Sequence, residues 1–106
     1  MSESNIRAET DIQRQIGAES DAALEPGAKI FIHNDDVTPY DFVVVILQRF
    51  FGLNQPEAEQ VTYIAHISGI AYVVTLPKSE AEKRVGQAHF AAGLEGYPLT
   101  FTIEPE

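Results

Sequence analysis

His33, Asn34, Asp35 and Asp36 are consecutive and gather oxygen and nitrogen acceptors at one point of the chain, and His66 offers a further ring nitrogen downstream. Three chemistries use such groups. Divalent-cation binding needs ligands spread around a loop, as in Asp-x-Asp-x-Asp-Gly followed by a glutamate, and adjacent acids do not provide that spacing. Hydrolysis could combine His66, Asp35 and a serine into a triad on paper, but there is no Gly-x-Ser-x-Gly elbow to hold the nucleophile. The plainest reading makes Asn34-Asp35-Asp36 a solvated turn and His66 a helix histidine satisfied by a local carbonyl. No catalytic residue, metal ligand or cofactor is predicted.

Other motifs narrow the choice further. The sequence contains no Gly-x-x-x-x-Gly-Lys, Gly-x-Gly-x-x-Gly or His-Glu-x-x-His, so phosphate-loop, dinucleotide and zinc-protease chemistry have no support. With no cysteine there is no disulfide framework, thiolate zinc site or thiol nucleophile. Sixteen acids against seven basic residues set a net charge of −9, which repels a phosphate backbone and argues against a nucleic-acid partner. The first residues lack the basic and apolar blocks of a signal peptide, and the apolar run Phe42 to Leu47 is far too short to span a bilayer. A cytoplasmic protein without a membrane segment is expected.

The elements that must position these groups follow from local signals. A chain of 106 residues has room for one small domain. Residues 1–28 carry six acids against Arg7 and Arg14, hold none of the aromatics, and end at Glu25-Pro26-Gly27. This predicts a flexible acidic extension, with a marginal helix through Ile6, Ile12 and Ile16 as the alternative. The folded body is expected at 29–106, where all the aromatic residues lie. Lys29 to His33 reads as a strand entering the polar loop. Thr38-Pro39-Tyr40-Asp41 offers a cap hydroxyl, proline at the first helical position and an acid to reach back, opening a helix that stops at Gly52. Asn54-Gln55-Pro56-Glu57 repeats this logic for a second helix with Ala58, Val61, Ile64 and Ala65 on its buried face, ending at Ser68-Gly69.

Ile70 to Leu76 has strand composition. Ser79 and Glu82 are spaced as a capping box for a third helix, whose stripe Ala81, Val85, Ala88 and Ala92 runs to about Gly93. Leu99 to Ile103 alternates as a half-buried strand. The order β-α-α-β-α-β is an α+β arrangement of three strands packed by three helices.

The stretch Phe31-Ile32-His33-Asn34-Asp35-Asp36-Val37-Thr38-Pro39-Tyr40-Asp41-Phe42-Val43, with Leu47-Gln48-Arg49-Phe50-Phe51-Gly52 and His66-Ile67-Ser68-Gly69, resembles the ClpS family of proteolytic adaptors. Ala81-Glu82 and Tyr97-Pro98-Leu99 agree with it, and the likeness covers residues 29–104. The resemblance implies a three-stranded antiparallel sheet packed by three helices. It also implies a non-enzymatic, monomeric module that captures N-degrons, proteins beginning with Leu, Phe, Tyr or Trp, for the N-domain of a ClpA- or ClpC-type AAA+ unfoldase.

In such proteins the positions matching Asn34, Asp35 and His66 meet the α-amine. A cationic ammonium with three donors needs oriented acceptors beside an apolar hole. On this reading His66 presents a neutral ring nitrogen, so binding weakens as the imidazole takes up a proton. The matching pocket wall is Ile32, Thr38, Tyr40, Val43, Thr62 and Leu99, with Asp36 supporting the loop or meeting the next peptide unit. The implied unfoldase contact is Ser79, Glu80 and Arg84.

Tyr40 and Thr62 stand where the family often has methionine, which predicts a narrowed preference among Leu, Phe, Tyr and Trp because a stiff wall adapts less than a thioether. Ile70 replaces the lysine frequent after His-x-x-Gly. The same two positions leave open an alternative, an interaction domain of this fold with lost or altered amine recognition. A flexible extension of this length reaches roughly 30 Å, so removing residues 1–25 is expected to spare peptide binding and impair delivery.

Overall fold

The computed structural model describes residues 25–106. Most of the acidic extension predicted for 1–28, and its helical alternative, therefore lies outside the described residues. The chain runs β1 (Gly27–His33), α1 (Tyr40–Phe51), α2 (Gln55–Ser68), β2 (Ile70–Pro77), α3 (Lys78–Leu94) and β3 (Thr100–Pro105). β1 starts two residues before the expected body, and Ala28 is already buried in the core.

β1 is the central strand of an antiparallel sheet in the order β2-β1-β3. Alternation along β1 sends Ala28, Ile30 and Ile32 to one face, where Ala71, Val73 and Phe101 join them against the helices. Ile30, Ile32 and Leu47 are fully enclosed, each contributing about 1.5–3 kcal/mol of burial. α3 meets the sheet through the predicted stripe Ala81, Val85, Ala88 and Ala92, whose small side chains allow close approach. The Phe51 and Phe101 rings, 4.8 Å apart, tie α1 to β3, and Phe42 packs edge-on against Tyr97 at 4.8 Å.

The register of β1 against β2 slips between Ile30 and Phe31, where Ile30 faces Val74 but Phe31 faces Tyr72. This bulge turns Val73 into the core while Val74 also packs against it, and it moves every later β1–β2 pair by one residue.

Four local expectations are corrected. Pro39 is the N-cap of α1 rather than its first residue, and α1 has no side-chain cap, because the Thr38 hydroxyl donates to Asp35 instead. Ser79 and Glu82 form no capping box: the N-cap of α3 is Pro77, and the Ser79 hydroxyl and amide donate to Glu25. On α2, Ile64 is 37% exposed and Thr62 takes the buried place, since the inward face runs through Ala58, Thr62 and Ala65. The last strand begins at Thr100 and continues to Pro105, leaving Leu99 as the buried residue before it. The Asn54–Glu57 capping box, by contrast, is fully formed, with reciprocal bonds of 2.9 Å.

Candidate functional site

The loop after β1 and the end of α2 meet because of strand pairing. His33 lies opposite Ile70 on β2 and Thr100 on β3. One residue on, the Asn34 amide donates to the Gly69 carbonyl at 2.9 Å, and Gly69 is the left-handed C-cap of α2 (φ 90°). His66, in the last turn of α2, is thereby carried to Asn34 and Asp35, while Leu99 arrives beside them from β3.

Asp35 organises the loop. Its Oδ1 accepts from the amides of Val37 (2.8 Å) and Thr38 (2.6 Å), and its Oδ2 accepts from the Thr38 hydroxyl (2.9 Å). Burial opposes the charge, but the bonds from the Thr38 amide, the Val37 amide and the Thr38 hydroxyl outweigh it and hold the carboxyl below the usual aspartate range. A carboxylate has about four acceptor positions. Three are taken here, so Oδ2 keeps one for an external donor. Asn34 and Asp36 are exposed beside it, as is His66.

Together these groups rim a hollow of about 260 Å³ lined by Asn34, Asp35, Asp36, Thr38, Tyr40, Val43, Thr62 and His66. It adjoins a small pit of about 20 Å³, bounded by Ile32, His33, Asn34, Asp35, Thr38, Val43, Thr62, Ala65 and Leu99. Every residue expected at the amine site and in the pocket wall thus borders one of the two connected spaces. Ala65 and His33 are additions. Ala65 was legible only as core, yet Thr62, Ala65 and His66 at i, i+3 and i+4 share one helix face, which is the spacing that could have found it.

Two side chains differ from their sequence reading in how they act. Thr62 does not present a polar branch to the hollow, because its hydroxyl donates back to the Ala58 carbonyl at 2.7 Å. Tyr40 does not fill the space: its hydroxyl donates to the Glu59 carbonyl at 3.2 Å, holding the ring across the gap between α1 and α2.

Ser79, Glu80 and Arg84 lie away from this hollow, on the first turns of α3. The Arg84 Nε and the Glu80 carboxylate form a 2.6 Å ion pair. With Arg49, Phe50, Phe51, Gly52 and Leu76, Glu80 and Arg84 border a second hollow of about 250 Å³. Two residues that the sequence did not single out also act structurally. The Phe101 amide donates to His89 Nε2 at 2.9 Å, tying α3 to β3, and burial lowers the His89 pKa. Glu25 holds Ser79. Among the described residues, no group of three His, Cys, Asp or Glu side chains could hold a metal ion. No helix among them is long and apolar enough to cross a membrane.

Residues 24–102 match the model of the family described as ATP-dependent Clp protease adaptor protein ClpS. The ATP-dependent Clp protease adapter protein ClpS 2 of Mesorhizobium japonicum is 40% identical over 78 residues, 74% of this chain and 77% of that protein. The ClpS adapter of Ruegeria sp. is 38% identical over 81 residues, 76% and 72% of the two chains. Among solved structures, Agrobacterium tumefaciens ClpS2 bound to L-phenylalaninamide superposes with a TM-score of 0.73 at 36% identity, covering 76% of this chain and 98% of that one. Sequence and fold agree over nearly the whole described body, and the chain belongs to the ClpS family of ATP-dependent Clp protease adaptor proteins.

Proposed function

We propose that this adaptor captures proteins through a free N-terminal α-amine and a bulky apolar first side chain, without catalysis of its own, and hands them to a ClpA- or ClpC-type unfoldase. The observation that carries this reading is the convergence of Asn34, Asp35 and His66 on the rim of a hollow backed by Ile32, Val43, Ala65 and Leu99. Asn34 offers an amide oxygen, His66 a neutral ring nitrogen and Asp35 its remaining carboxylate position, one acceptor for each ammonium proton. The molecule bound to the related ClpS2, L-phenylalaninamide, has the two features required, a free amine and a benzyl group.

Magnitudes are adequate. Charge-assisted hydrogen bonds contribute about 1.5–3 kcal/mol each and a buried Leu or Phe about 1.5–3, so two bonds and one side chain approach the ~8 kcal/mol of a micromolar complex before ordering costs. Apolar cavities of about 150 Å³ accept benzene, so a single aromatic side chain is compatible with the space available. The rival reading, a ClpS-fold domain without amine recognition, drew on Tyr40 and Thr62; the tethered phenol and the inward-bonded hydroxyl leave the hollow open and favour capture. Rigid Tyr40 still argues for unequal affinity among Leu, Phe, Tyr and Trp.

Ser79, Glu80 and Arg84 are proposed to meet the unfoldase N-domain. The deciding experiment is a titration with a fluorescent peptide that begins with Phe or Leu. Binding of the free peptide, rejection of its N-acetylated form, and loss on Asp35→Ala with Asp36→Ala are expected. Equal affinity for the acetylated peptide would refute amine capture.

A further inference from the structure

α3 starts without a cap from its own neighbourhood. Its N-cap is Pro77 and no local side chain bonds its first turn. The missing acceptors come from the start of the described chain. The Ser79 amide donates to Glu25 Oε1 at 2.7 Å, the Ser79 hydroxyl to Oε2 at 2.9 Å, and the Lys78 amide to the Pro26 carbonyl at 3.1 Å. Free N–H groups and the helix dipole both favour a carboxylate there. The Ser79 amide and then the Ser79 hydroxyl hold the Glu25 carboxyl below its ordinary range.

This contact sits at the opposite end of β1 from the candidate pocket. Gly27 pairs with Pro77 at one end of the strand and His33 with Ile70 at the other. A strand of this length at about 3.3 Å per residue separates the two ends by roughly 20 Å. Residue 24 is bonded to Glu25, so the preceding chain departs beside Ser79, Glu80 and Arg84.

We propose that Glu25 is a positioning residue for delivery: by capping α3 across the fold it sets the exit point of residues 1–24 next to Ser79, Glu80 and Arg84, on the pole opposite the captured N-terminus. The inference rests on the docking role of those three residues given above. It makes capture and hand-over separable, because a change at Glu25 alters the pole that faces the unfoldase and leaves the hollow untouched.

The test uses the full chain and its Glu25→Ala, Glu25→Gln and Arg84→Ala variants with a ClpA-type unfoldase, ClpP peptidase and a fluorescent protein beginning with Phe. For Glu25→Ala, peptide Kd stays within about twofold of the parent, and hydrogen exchange at the Ser79 amide quickens by about tenfold. The maximal degradation rate at saturating adaptor falls by about threefold or more, with KM little changed. Glu25→Gln, which keeps an acceptor oxygen for the Ser79 amide, recovers part of that rate. Arg84→Ala raises KM for adaptor-dependent degradation. A parental maximal rate for Glu25→Ala, beside a raised KM for Arg84→Ala, overturns the positioning role alone. An unchanged KM for Arg84→Ala overturns the docking role and the positioning role with it.

Discussion

Two threonines border the same hollow and are predicted to respond oppositely to the same substitution. Thr38 donates twice to Asp35, from its amide at 2.6 Å and its hydroxyl at 2.9 Å. Thr38→Val keeps the shape and the amide but removes the hydroxyl donor. A hydrogen bond to a charged group is worth about 1.5–3 kcal/mol, reduced here because two amide donors remain and the site is open to water. A loss of about 1 kcal/mol in loop order is therefore expected, which is about fivefold in peptide affinity. Thr62 donates only to the Ala58 carbonyl of its own helix, so Thr62→Val removes nothing that faces the hollow. Valine and threonine have similar helix propensities, and the change should stay within about 0.5 kcal/mol.

The assay is anisotropy with a labelled peptide beginning with Phe, from pH 7 down to pH 3. Because the folded Asp35 carboxyl is held below its ordinary value of 3.8, its contribution is present above that value and is lost as pH falls through the lower folded value. Removing the Thr38 hydroxyl moves the folded value upward, so Thr38→Val should lose affinity at a higher pH than the parent. Equal affinities for the two valine variants, or superimposable acid profiles for Thr38→Val and the parent, would refute the assignment of Asp35 as the loop's organising acceptor.

Three further outcomes are expected. Ala65→Leu places three more carbons against a pit of about 20 Å³, so overpacking of about 1–3 kcal/mol and at least tenfold weaker peptide binding should follow; unchanged affinity would show that the inner pit is not used. Tyr40→Phe breaks the bond to the Glu59 carbonyl and frees the ring, so the ratio of Leu-peptide to Phe-peptide affinity should shift toward Leu, and an identical ratio would remove Tyr40 as the selective wall. His89 accepts the Phe101 amide and resists protonation relative to its ordinary 6.5; its contribution is full above that value and fades as pH drops below it, because the unfolded chain takes the proton first. Urea unfolding midpoints should therefore fall between pH 7 and pH 5, and the slope should flatten in His89→Gln.

Much of this architecture was legible because its signals are local. The Asn54–Glu57 box opens α2 as its spacing predicts, and Gly52 and Gly69 end their helices at φ 73° and 90°, where side chains with a Cβ are disfavoured. The stripe of Ala81, Val85, Ala88 and Ala92 points inward throughout. Local reasoning misassigned Thr38 and Ser79, and for one reason. Each hydroxyl has a competing carboxylate, Asp35 three residues away in one case and Glu25 far along the chain in the other. Cap propensity weighs only the residues of the turn itself.

Composition, periodicity and the Asn34-Asp35-Asp36 and His66 motifs determined the element order and named the rim of the hollow, since each of those signals acts within a turn or two of backbone. Only the tertiary structure decided that the rim closes. The bulge at Val73 sets His33 opposite Ile70 instead of Ala71, and that one-residue step lets the Asn34 amide reach the Gly69 carbonyl and draw His66 alongside. Strand register and the Glu25 cap depend on groups distant in sequence competing for the same donors, and residue spacing does not record which competitor wins.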